Sequence, residues 1–163
     1  IQEFREDDAK DYYEFARTEN VFKYMPINKL TSLEEAEKVV RENIKSYYQK
    51  GAYRLAIVLK DVHKVIGYIG LSKYDLSVYT CQVVYAIGEE YWHNGYVSEA
   101  LASFITYLKG QNKKLIIAGH VKENIASGIV LLKNGFIRDP SRDCEMIIHG
   151  SIRQIINYVI DER

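Results

Sequence analysis

Hydrophobic residues recur with helical spacing between Thr31 and Gly51, and this is the clearest pattern in the first third of the chain. Apolar side chains three or four positions apart lie on one face of a helix. Thr31-Ser-Leu-Glu34 and Ser32-Leu-Glu-Glu35 both fit a capping box, in which a hydroxyl and a carboxylate satisfy the free N–H groups of a helix start. The pattern therefore predicts a helix that begins at this box and ends at Gly51.

Three further segments have the pattern of helices. Residues 7–16 can start from a cap at either of two consecutive aspartates. Residues 96–109 carry one apolar face, and residues 124–134 form a short helix that a glycine ends. The segment 19–30 contains a proline and is predicted to be a loop.

Segments rich in β-forming residues alternate with these helices. Residues 53–59 and 65–71 are short, close together and predicted to form a hairpin. Residues 82–87 are a third strand. The almost wholly apolar run 115–121 is typical of a central strand that is covered on both faces.

The C-terminal third predicts a second hairpin, with strands at 144–148 and 153–159 and a two-residue turn at His149-Gly150. Ile1 to Phe4 has the pattern of the end of a strand. The order β-α-α-β-β-β-α-β-α-β-β indicates the α/β class with a mixed sheet. Because no linker rich in Gly, Ser or Pro interrupts the chain, we expect a single domain over residues 1–163.

The composition narrows the function classes. Lys plus Arg total 22 and Asp plus Glu total 22, so the formal net charge is zero, which argues against a nucleic-acid-binding protein. Cys81 and Cys144 lack metal-ligand spacing, and no apolar run approaches the ~20 residues that span a bilayer. We expect a cytoplasmic protein without a membrane partner. Each of the 14 tyrosines combines a large apolar ring with a polar hydroxyl, which suits clefts and interfaces that are partly open to solvent.

One segment combines the parts of an anion site. A strand ends at Ile87-Gly88, a loop with glycine follows, and a helix starts near Tyr96. Free N–H groups and the helix dipole favour negative charge at such a helix start. The glycine spacing fits neither a P-loop nor a GxGxxG motif, and the segment taken alone favours an ordinary strand-to-helix turn.

A second segment follows the apolar strand 115–121. Asn124 is a good N-cap, and Gly135 is a good residue to follow a helix. Asn124 and Ser127 are three apart and share one helix face. Alone, the segment describes a capped helix and nothing more.

Together and in this order, the two segments resemble the GNAT superfamily of acyl-CoA-dependent N-acetyltransferases. The run Tyr91-Trp-His-Asn-Gly95-Tyr-Val-Ser-Glu-Ala100 is similar to the pattern of the subgroup that acetylates the N-termini of ribosomal proteins. Asn124-x-x-Ser127 and Lys133-Asn-Gly-Phe136 resemble the second family pattern, and the likeness extends over nearly the whole chain.

The resemblance implies a fold of the acyl-CoA N-acyltransferase type. This fold is a three-layer sandwich, with a mostly antiparallel, twisted sheet of six to seven strands flanked by about four helices. It implies acetyl-CoA as cosubstrate and no metal. The residues that would hold the cofactor are Tyr85, Ala86, Ile87, His93, Asn94, Gly95, Tyr96, Val97, Ser98, Asn124 and Lys133.

The implied reaction is direct acetyl transfer to a primary amine, on a protein N-terminus or a small molecule. Many members protonate the leaving thiolate with a tyrosine, but that position is Leu131 here, and Ser127 is the candidate instead. Glu145 is the candidate base, because Gln82 occupies the other position at which relatives carry a glutamate. Tyr24 and Glu19 are candidate substrate contacts.

A non-catalytic acyl-CoA-binding domain of the same fold is the alternative. Val97 stands where the family has Gly or Ala, His93 where it often has Gly, and neither Leu131 nor Gln82 can do acid–base chemistry. His120 is expected to be a structural residue with hydrogen-bonded ring nitrogens rather than a catalytic one. The chain is expected to be a monomer or a homodimer.

Overall fold

The computed structural model describes residues 1–47, 53–74 and 80–162, with the backbone only for residues 73 and 74. Seven strands form one sheet: β1 Tyr53–Leu59, β2 Lys64–Tyr74, β3 Thr80–Ile87, β4 Leu115–Val121, β5 Ile137–Arg138, β6 Cys144–Ile148 and β7 Ser151–Asp161. Their order is β1-β2-β3-β4-β7-β5, and β6 also pairs with β7. Only the β3–β4 pairing is parallel, so the predicted mixed, mostly antiparallel sheet is confirmed.

Within the described residues, five α-helices accompany the sheet: α1 Ala9–Ala16, α2 Glu19–Phe22, α3 Leu33–Ser46, α4 Tyr96–Gly110 and α5 Ile125–Lys133. The helices predicted from the periodic patterns are confirmed to within a few residues. The prediction of a loop throughout residues 19–30 is wrong, because α2 lies at its start. A four-residue helix is too short to show a periodic pattern. The predicted stop at Gly51 lies outside the described residues.

The predicted capping box is formed at the start of α3. Ser32 is the N-cap, and its hydroxyl oxygen accepts a hydrogen bond from the Glu35 N–H at 3.2 Å. The Glu35 carboxylate reaches back and accepts from the Thr31 N–H at 2.7 Å. These two bonds satisfy backbone donors at the helix start, and the hydrogen bonds that the Glu35 carboxylate accepts from Thr31 lower its pKa.

Helices cover both faces of the sheet, which confirms the three-layer sandwich. On one face, α4 and α5 contribute Leu101, Phe104 and Leu131 to a core that also contains residues of β2, β3 and β4. On the other face, α1 and α3 bury Tyr12 and Val40 among residues of β1 and β2. The sheet therefore separates two cores, and a site that needs both faces must lie where the sheet opens.

The sequence predicted the C-terminal hairpin turn correctly, but the predicted N-terminal strand is not formed. The turn between β6 and β7 is confirmed: His149 and Gly150 have φ values of 47° and 76°, as a two-residue hairpin turn of this type requires. Residues 1–4 contribute a single antiparallel bridge between Gln2 and Ala56 rather than a strand. The two-residue β5 was not predicted.

Candidate active site

Strands β3 and β4 separate after a short pairing and leave a wedge-shaped gap in the sheet. They are paired only over residues 80–82 and 115–117. Beyond these residues, β3 stays with β2 through Ile87. β4 stays with β7 through Val121. The gap therefore opens towards the carboxyl ends of two parallel strands, where ligands bind in open α/β sheets.

The β3 side of the wedge presents backbone groups that are not used in the β2–β3 ladder. The Gly88 N–H donates to the Ile66 carbonyl of β2 at 2.8 Å, and partners alternate along an antiparallel ladder. Tyr85 and Ile87 therefore direct their N–H and C=O groups into the wedge, whereas those of Ala86 face β2. The Trp92 indole Nε1–H donates to the Ile87 carbonyl at 3.0 Å, a contact that the sequence did not predict.

A pair of hydroxyl groups joins the two sides of the wedge. The Tyr85 hydroxyl oxygen lies 2.8 Å from the Ser127 Oγ of α5, and 3.4 Å from the Ser127 carbonyl oxygen. Burial raises the pKa of the Tyr85 phenol to about 12, and the bond to Ser127 lowers it by less. Tyr85 is therefore a neutral donor at any physiological pH. The sequence singled out both Ser127 and Tyr85 but did not predict the contact between their hydroxyl groups.

The start of α4 lies next to the wedge and leaves its first N–H groups uncapped. Gly95 is the N-cap, with a left-handed φ of 81°, and within the described residues no side chain caps this helix. His93 also has a left-handed φ, of 63°, and its side chain is exposed. The Asn94 amide donates to the Trp92 carbonyl at 2.9 Å and holds the loop. The arrangement suits an anion such as a phosphate.

The side chains of the first turn of α4 point away from this anion site. Tyr96 and Val97 pack against the hydrophobic core, so the β-branched side chain of Val97 is taken up by the protein interior. The Ser98 hydroxyl accepts from the Asn134 amide at 2.9 Å. This bond ties the start of α4 to the end of α5, and nothing in the sequence predicted it.

Asn124 and Lys133 stand at the two ends of α5. Asn124 occupies the predicted N-cap position, but its side chain makes no capping bond, which corrects the expectation of a side-chain cap. Its amide is half-buried and can donate to or accept from a ligand. Lys133 is exposed, one residue before the Asn134 that contacts Ser98.

Tyr24 lies on the face of the sheet opposite α4 and α5, next to the end of β4. It packs against Val121 of β4 and against Ile148 and Ile155 of the β6–β7 hairpin. The turn of that hairpin also approaches α2, since His149 Nε2 lies 3.1 Å from the Phe22 carbonyl oxygen. Tyr24 therefore lies beside Val121, the last residue of β4, where one side of the gap ends. The contact of His149 was not predicted.

Glu19 begins α2 and is fully exposed. Its carboxylate pairs with Lys29 at 2.9 Å, and this hydrogen bond lowers the pKa of the Glu19 carboxyl. The structure places Glu19 on the helix that His149 contacts, three residues before Phe22.

Glu145 is not brought together with Tyr24. Its carboxylate accepts from the Gln154 amide at 2.5 Å across the β6–β7 pair, and its side chain is exposed. Because side chains alternate along a strand, Glu145 points to the opposite face from Ile148, three residues on. The sequence left this register open.

His120 and Leu131 are structural. His120 is buried, with Nδ1 2.7 Å from the Val121 carbonyl oxygen and Nε2 3.3 Å from the Tyr158 hydroxyl. Leu131 is fully buried in the core.

In the described part of the chain, no cluster of three His, Cys, Asp or Glu side chains is placed to hold a metal ion. The same residues include no helix long and apolar enough to cross a membrane.

Comparison with known proteins gives one consistent family. A family model described as an acetyltransferase (GNAT) domain matches residues 1–137. The uncharacterised N-acetyltransferase YnaD of Bacillus subtilis is 33% identical over 142 residues, which cover 85% of this chain and 79% of that protein.

Solved structures share the fold. The microcin C7 self-immunity acetyltransferase MccE, determined in complex with acetyl-CoA and AMP, superposes with a TM-score of 0.88 at 18% identity, covering 98% of this chain and 89% of that one. The ribosomal-protein-S5-alanine acetyltransferase of Vibrio fischeri gives a TM-score of 0.83 at 20% identity, covering 99% and 91%.

Proposed function

Because the chain belongs to the GNAT acetyltransferase family, an acetyl-CoA-dependent family, we propose that it transfers the acetyl group directly to a primary amine that enters beside Tyr24. The amine is a protein N-terminus or a small molecule. The observation that carries the proposal is the wedge between β3 and β4, with a hydroxyl pair across it and uncapped N–H groups at one end.

The cofactor would lie in the wedge and supply an activated thioester. The N–H groups of the loop from His93 to Ser98 suit its phosphates, and Lys133 adds a positive charge near the start of α4. The Ile87 N–H and the Tyr85 carbonyl can pair with amide groups of an extended ligand, as an edge strand does, since the Ile87 carbonyl already accepts from Trp92. Asn124 offers its unbonded amide.

Acetyl transfer needs a neutral amine, a donor for the carbonyl oxygen and a proton for the leaving thiolate. An ammonium with a pKa of ~8 to ~10 must first lose its proton, since only the free amine has a lone pair. The Tyr85 N–H, which faces the wedge, can stabilise the oxygen as it becomes anionic. The new C–N bond forms as the C–S bond breaks, and the sulfur receives a proton.

Ser127 is the proposed donor to that sulfur. Its hydroxyl can give its proton to the thiolate and recover one from the Tyr85 phenol, 2.8 Å away. The phenol is then restored by the proton that the amine releases, through solvent. Because burial raises its pKa, the Tyr85 phenol is protonated at neutral pH and can serve as a second donor in series with Ser127.

Glu145 remains the proposed base for the earlier step, in which the ammonium loses its first proton and becomes the neutral amine. Because it is exposed and held by Gln154 on the face away from Ile148, a proton would reach it through water rather than directly.

The test is thiol release from acetyl-CoA in the presence of amines, including peptides with free N-termini. We expect release that depends on the amine, and Ser127→Ala should lower kcat. The matched control is Ser103→Ala, at an exposed position of α4. Binding of acetyl-CoA without turnover on any amine would instead favour the non-catalytic domain.

A further inference from the structure

A second pocket lies away from the wedge, between α3, β1 and the segment that joins α2 to α3. Its volume is about 340 Å³, which is at the small end of the range for ligand sites. Its lining includes Phe22, Ile27, Leu30, Glu42, Asn43 and Arg54. None of the residues that line it belongs to the proposed acetyl-transfer site.

Arg54 brings a positive charge to this pocket without an ion pair. Its guanidinium stacks on the ring of the buried Tyr68, with 5.0 Å from Cζ to the ring centroid. Among the described residues, no carboxylate pairs with it, and its buried Nε has no hydrogen-bond partner. A half-buried cation with an unmet donor is costly unless something supplies an acceptor.

Asn43 is a second lining residue with an unmet donor. It is only 6% exposed, yet its Nδ2 has no hydrogen-bond partner in the described structure. A buried polar side chain is expected to be satisfied, and each exception calls for an explanation. Because both unmet groups are N–H donors, their missing partner is an acceptor, and the charge of Arg54 favours an anionic one.

The other lining residues indicate what the remaining parts of a ligand would be. Phe22, Ile27 and Leu30 form an apolar wall on one side. Glu42 is exposed, has no ion pair among the described residues and contributes a negative charge to the lining. A simple anion would be repelled by Glu42, whereas a ligand with a carboxylate and an ammonium meets both charges.

We propose that this pocket binds a small aliphatic amino carboxylate. The carboxylate accepts hydrogen bonds from Arg54 and Asn43, the aliphatic body packs against the apolar wall, and the ammonium faces Glu42. The ligand would also steady the segment after α2, which carries Tyr24 two residues beyond Phe22.

The experiment is calorimetric titration of the full chain with L-leucine, and with isoamylamine, which has the same aliphatic body but no carboxylate. We expect saturable binding of leucine with a Kd of about 1 mM or tighter, and at least tenfold weaker binding of isoamylamine. Arg54→Gln should weaken leucine binding at least tenfold, and Glu42→Gln several-fold.

Asn43→Leu guards against loss of fold, because it removes the unmet donor and keeps the number and branching of the heavy side-chain atoms. This variant should unfold at the temperature of wild type or above, and still bind leucine at least tenfold more weakly. Equal affinities for leucine and isoamylamine, unchanged affinity in these variants, or no saturation of wild type at concentrations about tenfold above 1 mM would each overturn the proposal. None of these results depends on acetyl transfer.

Discussion

The Ser127 hydroxyl is held 2.8 Å from the Tyr85 hydroxyl, and this contact sets what each residue can do in the reaction. If Ser127 protonates the thiolate, Ser127→Ala should lower kcat about a hundredfold, with little change in the KM for acetyl-CoA. Tyr85→Phe removes only the second donor and should lower kcat about tenfold. The double variant should resemble Ser127→Ala alone, because the two groups act in series. Steady-state kinetics of the four proteins tests this prediction. If the two single losses in kcat simply multiplied in the double variant, the two groups would not act in series.

The titration of Tyr85 gives a second prediction at the same scale. The pKa of the phenol is about 10 in the unfolded chain and about 12 in the folded protein. The stability that comes from keeping it neutral is therefore complete below pH 10 and is lost as the pH rises through about 12.

Urea denaturation of wild type and Tyr85→Phe, at pH 8 and at pH 11, measures this effect. The stability difference between them should shift by about 1 kcal/mol in favour of the variant at the higher pH. A difference that is the same at both pH values would show that Tyr85 titrates normally.

Sequence could suggest Ser127 but not the side chain that it contacts. Ser127 stands in a recognisable motif, whereas Tyr85 lies 42 residues away, and only the folded sheet brings the two together. Glu145 shows the opposite case, since its residue type pointed to a base but its face depended on a strand register that a pattern does not determine.

Among the elements, α5 is positioned by a close contact with β4. A Cβ on Gly128 would lie 2.6 Å from His120 Nε2 and 3.3 Å from the Tyr158 hydroxyl. Gly128→Ala should therefore push α5 outward and lower the free energy of unfolding by about 1 to 3 kcal/mol. It should also weaken acetyl-CoA binding, because Asn124 and Ser127 move with the helix.

Gly110→Ala is the matched control for this prediction. Gly110 also lies in a helix, but a Cβ there meets nothing within 4 Å, so the substitution should be neutral or slightly stabilising. Thermal unfolding with and without CoA distinguishes the two variants. Equal stability of both would contradict the close contact.

The start of α4 gives a prediction about the cofactor. Gly95 has a left-handed φ of 81° with open space around it, and so does Gly135 after α5. Alanine at either position should cost about 1 kcal/mol in stability through the backbone alone. Only Gly95→Ala should also raise the KM for acetyl-CoA, because only that loop presents N–H groups to phosphates. A similar KM increase in Gly135→Ala would contradict this assignment.

Elements with long, regular patterns were predictable, and short ones were not. Strand β4 has the bounds that its apolar run predicted, and α4 differs from its prediction by one residue. By contrast, α2 has four residues and β5 has two, so neither is long enough to establish a period. Both are held by tertiary contacts: β5 pairs with β7, and α2 lies against β3 and the β6–β7 turn.

At the scale of the whole molecule, two helical layers hold a sheet that is open at one place. The core under α4 and α5 and the core under α1 and α3 are separate, and β3 and β4 part between them. We propose that the cofactor approaches from the α4 side and the amine from the side of Tyr24. A net charge of zero fits this proposal, since the proposed phosphate site consists of backbone N–H groups.

The release of free thiol from acetyl-CoA, followed with and without a panel of amines, tests this account most directly. We predict release that requires an amine and rises with pH as the amine loses its proton, together with a matching acetylated product by mass spectrometry. Release at the same slow rate with every amine and with none would contradict acetyl transfer as the function of the wedge.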